Sequence, residues 1–534
     1  MKLNRQSRLS LYYLINVGWH GLLSVLLTLM AVSLVWAAPL GLVSVPVGGA
    51  VVQGRVDDGV ERFLGIPYAI PPVGSHRWKV AQPALRHEGL LQAQTYGAAC
   101  LQRLHPRRPK LELSEDCLTL NVWRPEKSQH KSMPVMVWIH GGGFTTGSGQ
   151  IPGEVLAREG IIVVSLNYRL GALGFFAHPA LKSSVANFGL SDATQALKWV
   201  HDNIADFGGD PANVTLFGVS AGGMMVNLLL ASEQAEGLFQ KAIAQSGYIT
   251  WPLPVTEEEK AKAVRDIDGR TMATAEQEWQ QRVKAVAPDA TTADALRELN
   301  GQTLVAAVNG FARPIVDGVT IQDQPYRLAE SRSREVPLIT GGNSFEGSIM
   351  PYSGISVAQY QQSWAGQTEI FSDLYAGDLQ YDSNLAYTRA FGDERYLFSA
   401  YYLAQAWQSK ATRVWLYYND MPPSEQEPGA PHGIDKQLLF YPDSLPTDRV
   451  KKQGETLRNY WLNFARYGDP NGKQEEKWPP YRLSTRQWLT LSETQRTAVV
   501  KSETMQVLQQ RLKARERLIQ PYQRSGVLET SKGR

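Results

Sequence analysis

Cysteine is nearly missing from the 534 residues: Cys100 and Cys117 are the whole supply. That excludes a disulfide-dense scaffold and a metal centre built on thiolates. The nine histidines are scattered, at no spacing that gathers a zinc ligand set, so no metal and no cofactor is expected. Charge of either sign is missing from residues 9–54, and Lys2, Arg5 and Arg8 stand just before that stretch. A positive start, an apolar run and small residues around Ala37 and Ala38 spell an export signal over residues 1–37. The same run is just long enough to span a bilayer if it is not cleaved. No cysteine stands near the cleavage point, which excludes lipid attachment there. Excess charge is lacking too. Three of the 54 basic residues fall in the signal, so the remainder balances the 51 acidic ones. Nothing in that balance suggests nucleic acid as a partner. Repeats and low-complexity tracts are also absent.

What remains is an ordinary globular composition, 43% hydrophobic and 20% charged, with length for a large core. Short apolar runs bounded by Gly, Asn or Asp predict buried strands at Val135–His140, Ile161–Tyr168, Val214–Ser220, Lys241–Ser246, Val336–Thr340 and Arg413–Tyr418. Helical spacing appears over Asp192–Ile204 and Ala221–Ala231. Strands alternating with helices imply a mainly parallel sheet covered on both faces. Residues 254–310 are charged, Ala-rich and helical in pattern, as expected for an insertion over the sheet. A second helical region covers about 356–410, and Glu503–Leu518 is expected to form an amphipathic helix. Residues 38–524 are expected to form one catalytic domain, followed by a loose tail at 525–534. Behind an export signal the compartment is oxidising, so Cys100 and Cys117 are expected to form a disulfide.

The stretch "VTLFGVSAGG" carries the chemistry. It sets Ser220 between Gly218 and Gly222 where a strand ends and a helix begins. This is the nucleophile elbow of an α/β-hydrolase: the turn is so tight that side chains two positions either side of the serine would collide. The serine then stands in strained backbone at the positive end of the helix. A serine hydroxyl needs a base, and in this architecture the chain order is serine, acid, histidine. Eight of the nine histidines precede Ser220, which leaves His432 in the loop "EPGAPHGID". For the acid, Glu346 follows the strand Val336–Thr340 in "GGNSFEG", Asp420 ends the next strand in "LYYND", and Asp317 stands in "RPIVDG"; from placement Glu346 is favoured. The glycine run His140-Gly141-Gly142-Gly143, after an early strand, supplies backbone N–H groups for a developing negative charge, and Ala221 offers another. A phosphate-binding loop is excluded, because neither Gly-Lys-Ser/Thr nor a spaced G-x-G-x-x-G follows.

Over roughly residues 45–490 the chain resembles the type-B carboxylesterase/cholinesterase family. The resemblance rests on "FLGIPYAIPPVG", "SEDCLTLNVWRP", "VWIHGGGF", "NYRLGALGF", "GDPANVTLFGVSAGG", "GGNSFEG", "PGAPHGID" and "WLNFARYGDPNG". It selects Glu346 as the acid and aligns Gly142, Gly143 and Ala221 with the oxyanion hole. It also implies that Cys100 and Cys117 pair and that Arg77 and Glu115 form a salt bridge beside their loop. Two departures stand out. Val219 occupies the position before the nucleophile where the family commonly has glutamate, and no tryptophan lies between Cys100 and Cys117, where cholinesterases hold choline. Both changes argue against a cationic substrate. The same interval carries Arg103, His105, Arg107, Arg108 and Lys110, a loop that could attract an anionic ester.

The expected function is therefore a secreted or periplasmic serine carboxylesterase acting on a small-molecule ester through an acyl-enzyme. Lipase or amidase activity on the same residues, or a non-catalytic binding or adhesion relative, are the alternatives. Association with a membrane is expected only if the N-terminal segment stays attached, and the sequence leaves the oligomeric state open.

Overall fold

A computed structural model describes residues 41–517, except 86, 105–110, 127–131, 258–271, 332–334, 409–411, 474–475 and 494–495. The expected export signal and the tail lie outside these residues. Among the described residues, no helix is long and apolar enough to cross a membrane.

The fold is organised by one large sheet. Its strands are β1 (Leu42–Val47), β2 (Ala50–Asp57), β3 (Val60–Pro67), β4 (Thr119–Pro125), β5 (Met133–Ile139), β6 (Ile162–Leu166), β7 (Gly209–Val219), β8 (Lys241–Gln245), β9 (Leu338–Asn343), β10 (Val414–Asn419), β11 (Gln487–Leu491) and β12 (Arg496–Val499). Their spatial order is β1-β2-β3-β4-β6-β5-β7-β8-β9-β10-β11-β12, and a short strand Gly89–Gln92 adds to β2. From β6 to β11 every neighbouring pair is parallel. The remaining pairs among β1–β12 are antiparallel, while Gly89–Gln92 runs parallel to β2. All six strands expected from the sequence are present. The antiparallel edges were not among those expectations.

Period-two alternation divides the core. Along β5, Val135, Val137 and Ile139 join one buried cluster, while Met136 and Trp138 join the other. Leu416 and Trp415 of β10 split the same way. Both faces are thus covered by apolar packing, which a parallel sheet requires. The covering helices include α1 (Phe188–Asn203), α2 (Ala221–Ala231), α3 (Ser383–Gly392), α4 (Phe398–Gln408), α5 (Asp448–Tyr467) and α6 (Ser502–Arg517). Helix α5 is capped by Thr447, whose hydroxyl accepts from Val450 N at 3.3 Å, and it ends at Gly468 with φ +67°. Helices α3 and α4 are joined by a π-helical turn, Asp393–Leu397. The expected insertion at 254–310 contains helices Ala275–Val286, Ala293–Glu298 and Gly301–Ala306.

Candidate active site

Strand β7 runs straight into α2, and Ser220 is the residue between them, with φ +60° and ψ −122°. That backbone is strained for a residue with a Cβ. It is held by Ser220 N donating to Gln245 O at 2.9 Å and by Met224 N donating to Ser220 O at 2.8 Å. The flanking glycines answer to space. A Cβ on Gly218 would lie 2.8 Å from the Gly222 carbonyl carbon, and one on Gly222 would lie 2.1 Å from Ile139 O. The chain crosses itself at the elbow with no room for a methyl group.

β5 lies beside β7, with Ile139 paired to Gly218. The glycine run leaving β5 is therefore delivered to the serine. A Cβ on Gly141 would meet Ser220 Cβ at 3.2 Å. Gly142 and Gly143 both take positive φ, +116° and +61°. Their carbonyls are committed: Gly142 O accepts from Thr145 N and Thr146 N, and Gly143 O accepts from Ala312 N. Among the described residues, no hydrogen bond takes the N–H of Gly142, Gly143 or Ala221. The last of these opens a helix, where an N–H has no intrahelical acceptor. His140 is buried against Tyr168, with ring centres 4.3 Å apart, and its Nδ1 donates to Gly141 O at 2.9 Å. Burial holds its pKa down at about 4, partly offset by that bond.

Glu346 follows β9 and His432 lies in the loop after β10, so both stand at the carboxyl end of the sheet with Ser220. The Glu346 carboxylate is buried and divided between two tasks. Oε2 accepts from His432 Nδ1. Oε1 accepts from Ser246 Oγ at 2.6 Å and from Asn343 N at 2.6 Å. Asn343 Nδ2 also donates to Asp435 Oδ2 at 2.8 Å, and Tyr417 OH donates to Asp435 Oδ1 at 3.1 Å. Burial raises the Asp435 pKa, while its hydrogen bonds to Asn343 and Tyr417 oppose the rise. The His432 ring packs 4.5 Å from the Tyr396 ring, and its backbone N–H donates to Ser348 Oγ at 2.8 Å. Its Nε2 is buried and has no hydrogen-bond partner.

The three acid candidates are now separated. Glu346 meets the histidine. Asp317 accepts from the backbone of Val319, Thr320 and Ile321 and from Asn187, so it ties a turn together. Asp420 is exposed. Ser220 reaches the acid–base pair through a relay of neighbours: its N–H bonds Gln245 O, and the next residue, Ser246, bonds Glu346. The Ser220 hydroxyl makes no hydrogen bond to His432 among the described contacts. Such bonds are often long before substrate binds. Sequence reasoning missed Ser246, Asn343 and Asp435. The last sits three residues after His432 on the following helix, Ile434–Phe440.

The disulfide joins Cys100 to Cys117. Arg77 grips Glu115 with two bonds, at 2.8 and 2.5 Å. Gln102, just past the first cysteine, bonds both N–H and C=O of Gly147 at 2.8 Å, which anchors the disulfide loop to the glycine loop. Of the basic residues in that loop, Arg103 donates to Ala306 O. His105, Arg107, Arg108 and Lys110 lie outside the described residues. Among the described residues, no group of acidic, histidine and cysteine side chains could hold a metal ion.

Comparison with known proteins agrees with this architecture. Residues 42–509 match the model of the carboxylesterase family. The para-nitrobenzyl esterase of Bacillus subtilis (strain 168) is 34% identical over 471 residues, covering 82% of this chain and 93% of that protein. The fumonisin B1 esterase of Sphingopyxis macrogoltabida is 31% identical over 504 residues, 84% and 89% of the two chains. A cholinesterase of Mus musculus is 31% identical over 505 residues, 81% and 80%. A solved structure of a PNB esterase superposes with a TM-score of 0.73 at 32% identity, over 87% of this chain and 99% of the other. The chain belongs to the carboxylesterase family, has the α/β-hydrolase fold and is a carboxylic-ester hydrolase.

Proposed function

We propose that the protein is a serine carboxylesterase in which Ser220 is the nucleophile, His432 the general base and acid, and Glu346 the residue that holds His432. The observation that carries this reading is the state of the imidazole. Nδ1 is bound to a buried carboxylate, so the ring is fixed, and Nε2 is left without a hydrogen-bond partner. His432 takes the Ser220 proton as the hydroxyl oxygen attacks the ester carbonyl. The negative charge that forms on the carbonyl oxygen is met by the N–H groups of Gly142, Gly143 and Ala221, each such donor typically contributing about 3–4 kcal/mol to the transition state. His432 returns the proton to the leaving alcohol. It then activates a water, which releases the acid from the acyl-enzyme. Glu346 keeps the Nδ1–H tautomer and stabilises the imidazolium without taking the proton.

The substrate class is a small-molecule carboxylic ester. We place the mature enzyme outside the cytoplasm, with residues 1–37 removed, because the charge-free N-terminal run and the single disulfide both suit export. The test is intact mass after treatment with an organophosphate. One adduct per chain, mapping to Ser220, supports the reading. No adduct on the folded, active protein contradicts it.

A further inference from the structure

Four arginines are buried among the described residues, and three of them hold a carboxylate. Arg77 pairs with Glu115, Arg169 with Asp192 and Arg511 with Glu394. Arg395 does not. It sits in the π-helical turn between α3 and α4, 5% exposed. No carboxylate among the described residues pairs with it, and its Nε is buried without a hydrogen-bond partner. The two acids that precede it in sequence are engaged elsewhere. Glu394 binds Arg511 and accepts from Tyr360 OH, and Asp393 accepts from Tyr375 OH.

Arg395 is instead enclosed by rings. Its guanidinium carbon lies 4.3 Å from the centre of Tyr248, 4.5 Å from Trp251, 5.5 Å from Phe311 and 5.8 Å from Tyr396. Aromatic faces can hold a cation in place of a salt bridge, and here they leave the Nε donor without a hydrogen-bond partner. The same rings border the candidate active site. Tyr396 packs on His432. The Phe311 ring lies so close to the glycine loop that a Cβ on Gly143 would fall 2.1 Å from it. Tyr248 meets Tyr396 edge-on at 5.5 Å. Tyr396 OH and Trp251 Nε1, like Arg395 Nε and His432 Nε2, are buried polar atoms without a partner. An unpaired buried charge is costly unless something completes it. A guanidinium fork matches a carboxylate. The π turn that carries Arg395 is a distortion of helix geometry found often at functional sites.

We propose that Arg395 recognises a carboxylate carried by the substrate, so that this enzyme favours anionic esters. The proposal rests on the Ser220–His432 site being the reaction centre and adds the charge of the substrate to it. Buried among these rings, the guanidinium acts with more force than a lysine on the surface would.

The test compares matched esters on the full-length enzyme. One arm puts the carboxylate on the acyl side: mono-p-nitrophenyl glutarate against p-nitrophenyl valerate. The other puts it on the alcohol side: 4-butyryloxybenzoate against its methyl ester, followed by release of the butyrate. In wild type, kcat/KM is expected to favour the anionic ester at least tenfold in one arm, and that arm identifies which side of the ester Arg395 reads. In Arg395→Met that ratio is expected to fall at least tenfold, and Arg395→Lys is expected to restore part of it. Equal loss on both esters leaves the ratio unchanged, assigns Arg395 a structural role and overturns the proposal. If Arg395→Met does not fold, the wild type still decides. No preference in either arm, together with glutarate inhibiting no better than valerate, overturns the proposal without any variant. Failure of the reaction centre itself is seen separately, as turnover that survives Ser220→Ala.

Discussion

Glu346 presents one carboxylate oxygen to His432 Nδ1 and the other to Ser246 and Asn343. The acid is therefore locked from behind by a serine hydroxyl and a backbone amide while it holds the base in front. Its own rotation is removed, and with it the rotation of the imidazole.

Replacing Glu346 with Gln keeps the shape, removes the charge and offers an N–H where His432 Nδ1–H now donates. The wrong tautomer and an unsupported imidazolium follow. kcat is expected to fall about 10²–10⁴-fold, with KM little changed. Steady-state kinetics on a neutral p-nitrophenyl ester checks this, and a loss below tenfold would contradict the role given to Glu346.

Gly222→Ala tests the elbow through space alone, because its φ is not positive. The added Cβ would stand 2.1 Å from Ile139 O, a backbone atom of a central strand that cannot step aside. Overpacking of this kind costs about 1–3 kcal/mol or more. A clear drop in thermal midpoint is expected, with loss of activity as Ser220 is displaced. An unchanged midpoint would mean the crossing is looser than described.

His140 makes stability pH-dependent. Its folded pKa is about 4 because burial opposes the charged form, against about 6.5 in the unfolded chain. Between these values the unfolded state binds more protons, so stability present above pH 6.5 is lost as pH falls towards 4. At pH 5 the loss from this one residue is about 2 kcal/mol. Chemical unfolding at pH 7.5 and pH 5.0 should show wild type weakening by that much more than His140→Gln. Equal weakening would remove the claim.

The disulfide closes a loop over a sequence separation of 17 residues. Loss of unfolded-chain entropy on closing such a loop stabilises by about 3 kcal/mol. The double variant Cys100→Ser/Cys117→Ser is expected to lose roughly that amount on unfolding. Through Gln102 and Gly147 the glycine loop also loses an anchor, so kcat should fall modestly. Full stability in the variant would contradict this.

Much of the site is legible in the sequence because its constraints are local. Gly218 and Gly222 are spaced by the crossing they permit, and His432 is isolated by chain order. The choice among Glu346, Asp317 and Asp420 is not local. Glu346 follows β9, Asp420 follows β10 and Asp317 ties a turn, so the residues alone leave the choice open; the family resemblance points to Glu346, and the convergence of β9 and β10 brings it to the imidazole. Ser246 is brought to Glu346, and Asp435 to the nearby Asn343, from two other segments, and Arg395 is defined by what fails to reach it. No pattern along the chain encodes either. Helix α5 is a different case. Val450, Leu457, Tyr460, Trp461 and Phe464 have helical spacing and are buried, so its signal was present in the sequence, although it was not among the expected helices. The antiparallel strands β1 to β4 were also not among the expected strands, although β1 alternates, with Val45 and Val47 buried and Leu42, Ser44 and Pro46 exposed; the local pattern does not say which strand each pairs with.

The central claim is that Ser220 supplies the attacking oxygen. The most direct measurement is kcat/KM of Ser220→Ala beside wild type on one chromogenic ester, with the fold of both verified by circular dichroism. The account predicts a loss of at least 10³-fold in a protein of unchanged fold and thermal midpoint. Turnover within tenfold of wild type in the folded variant would contradict it.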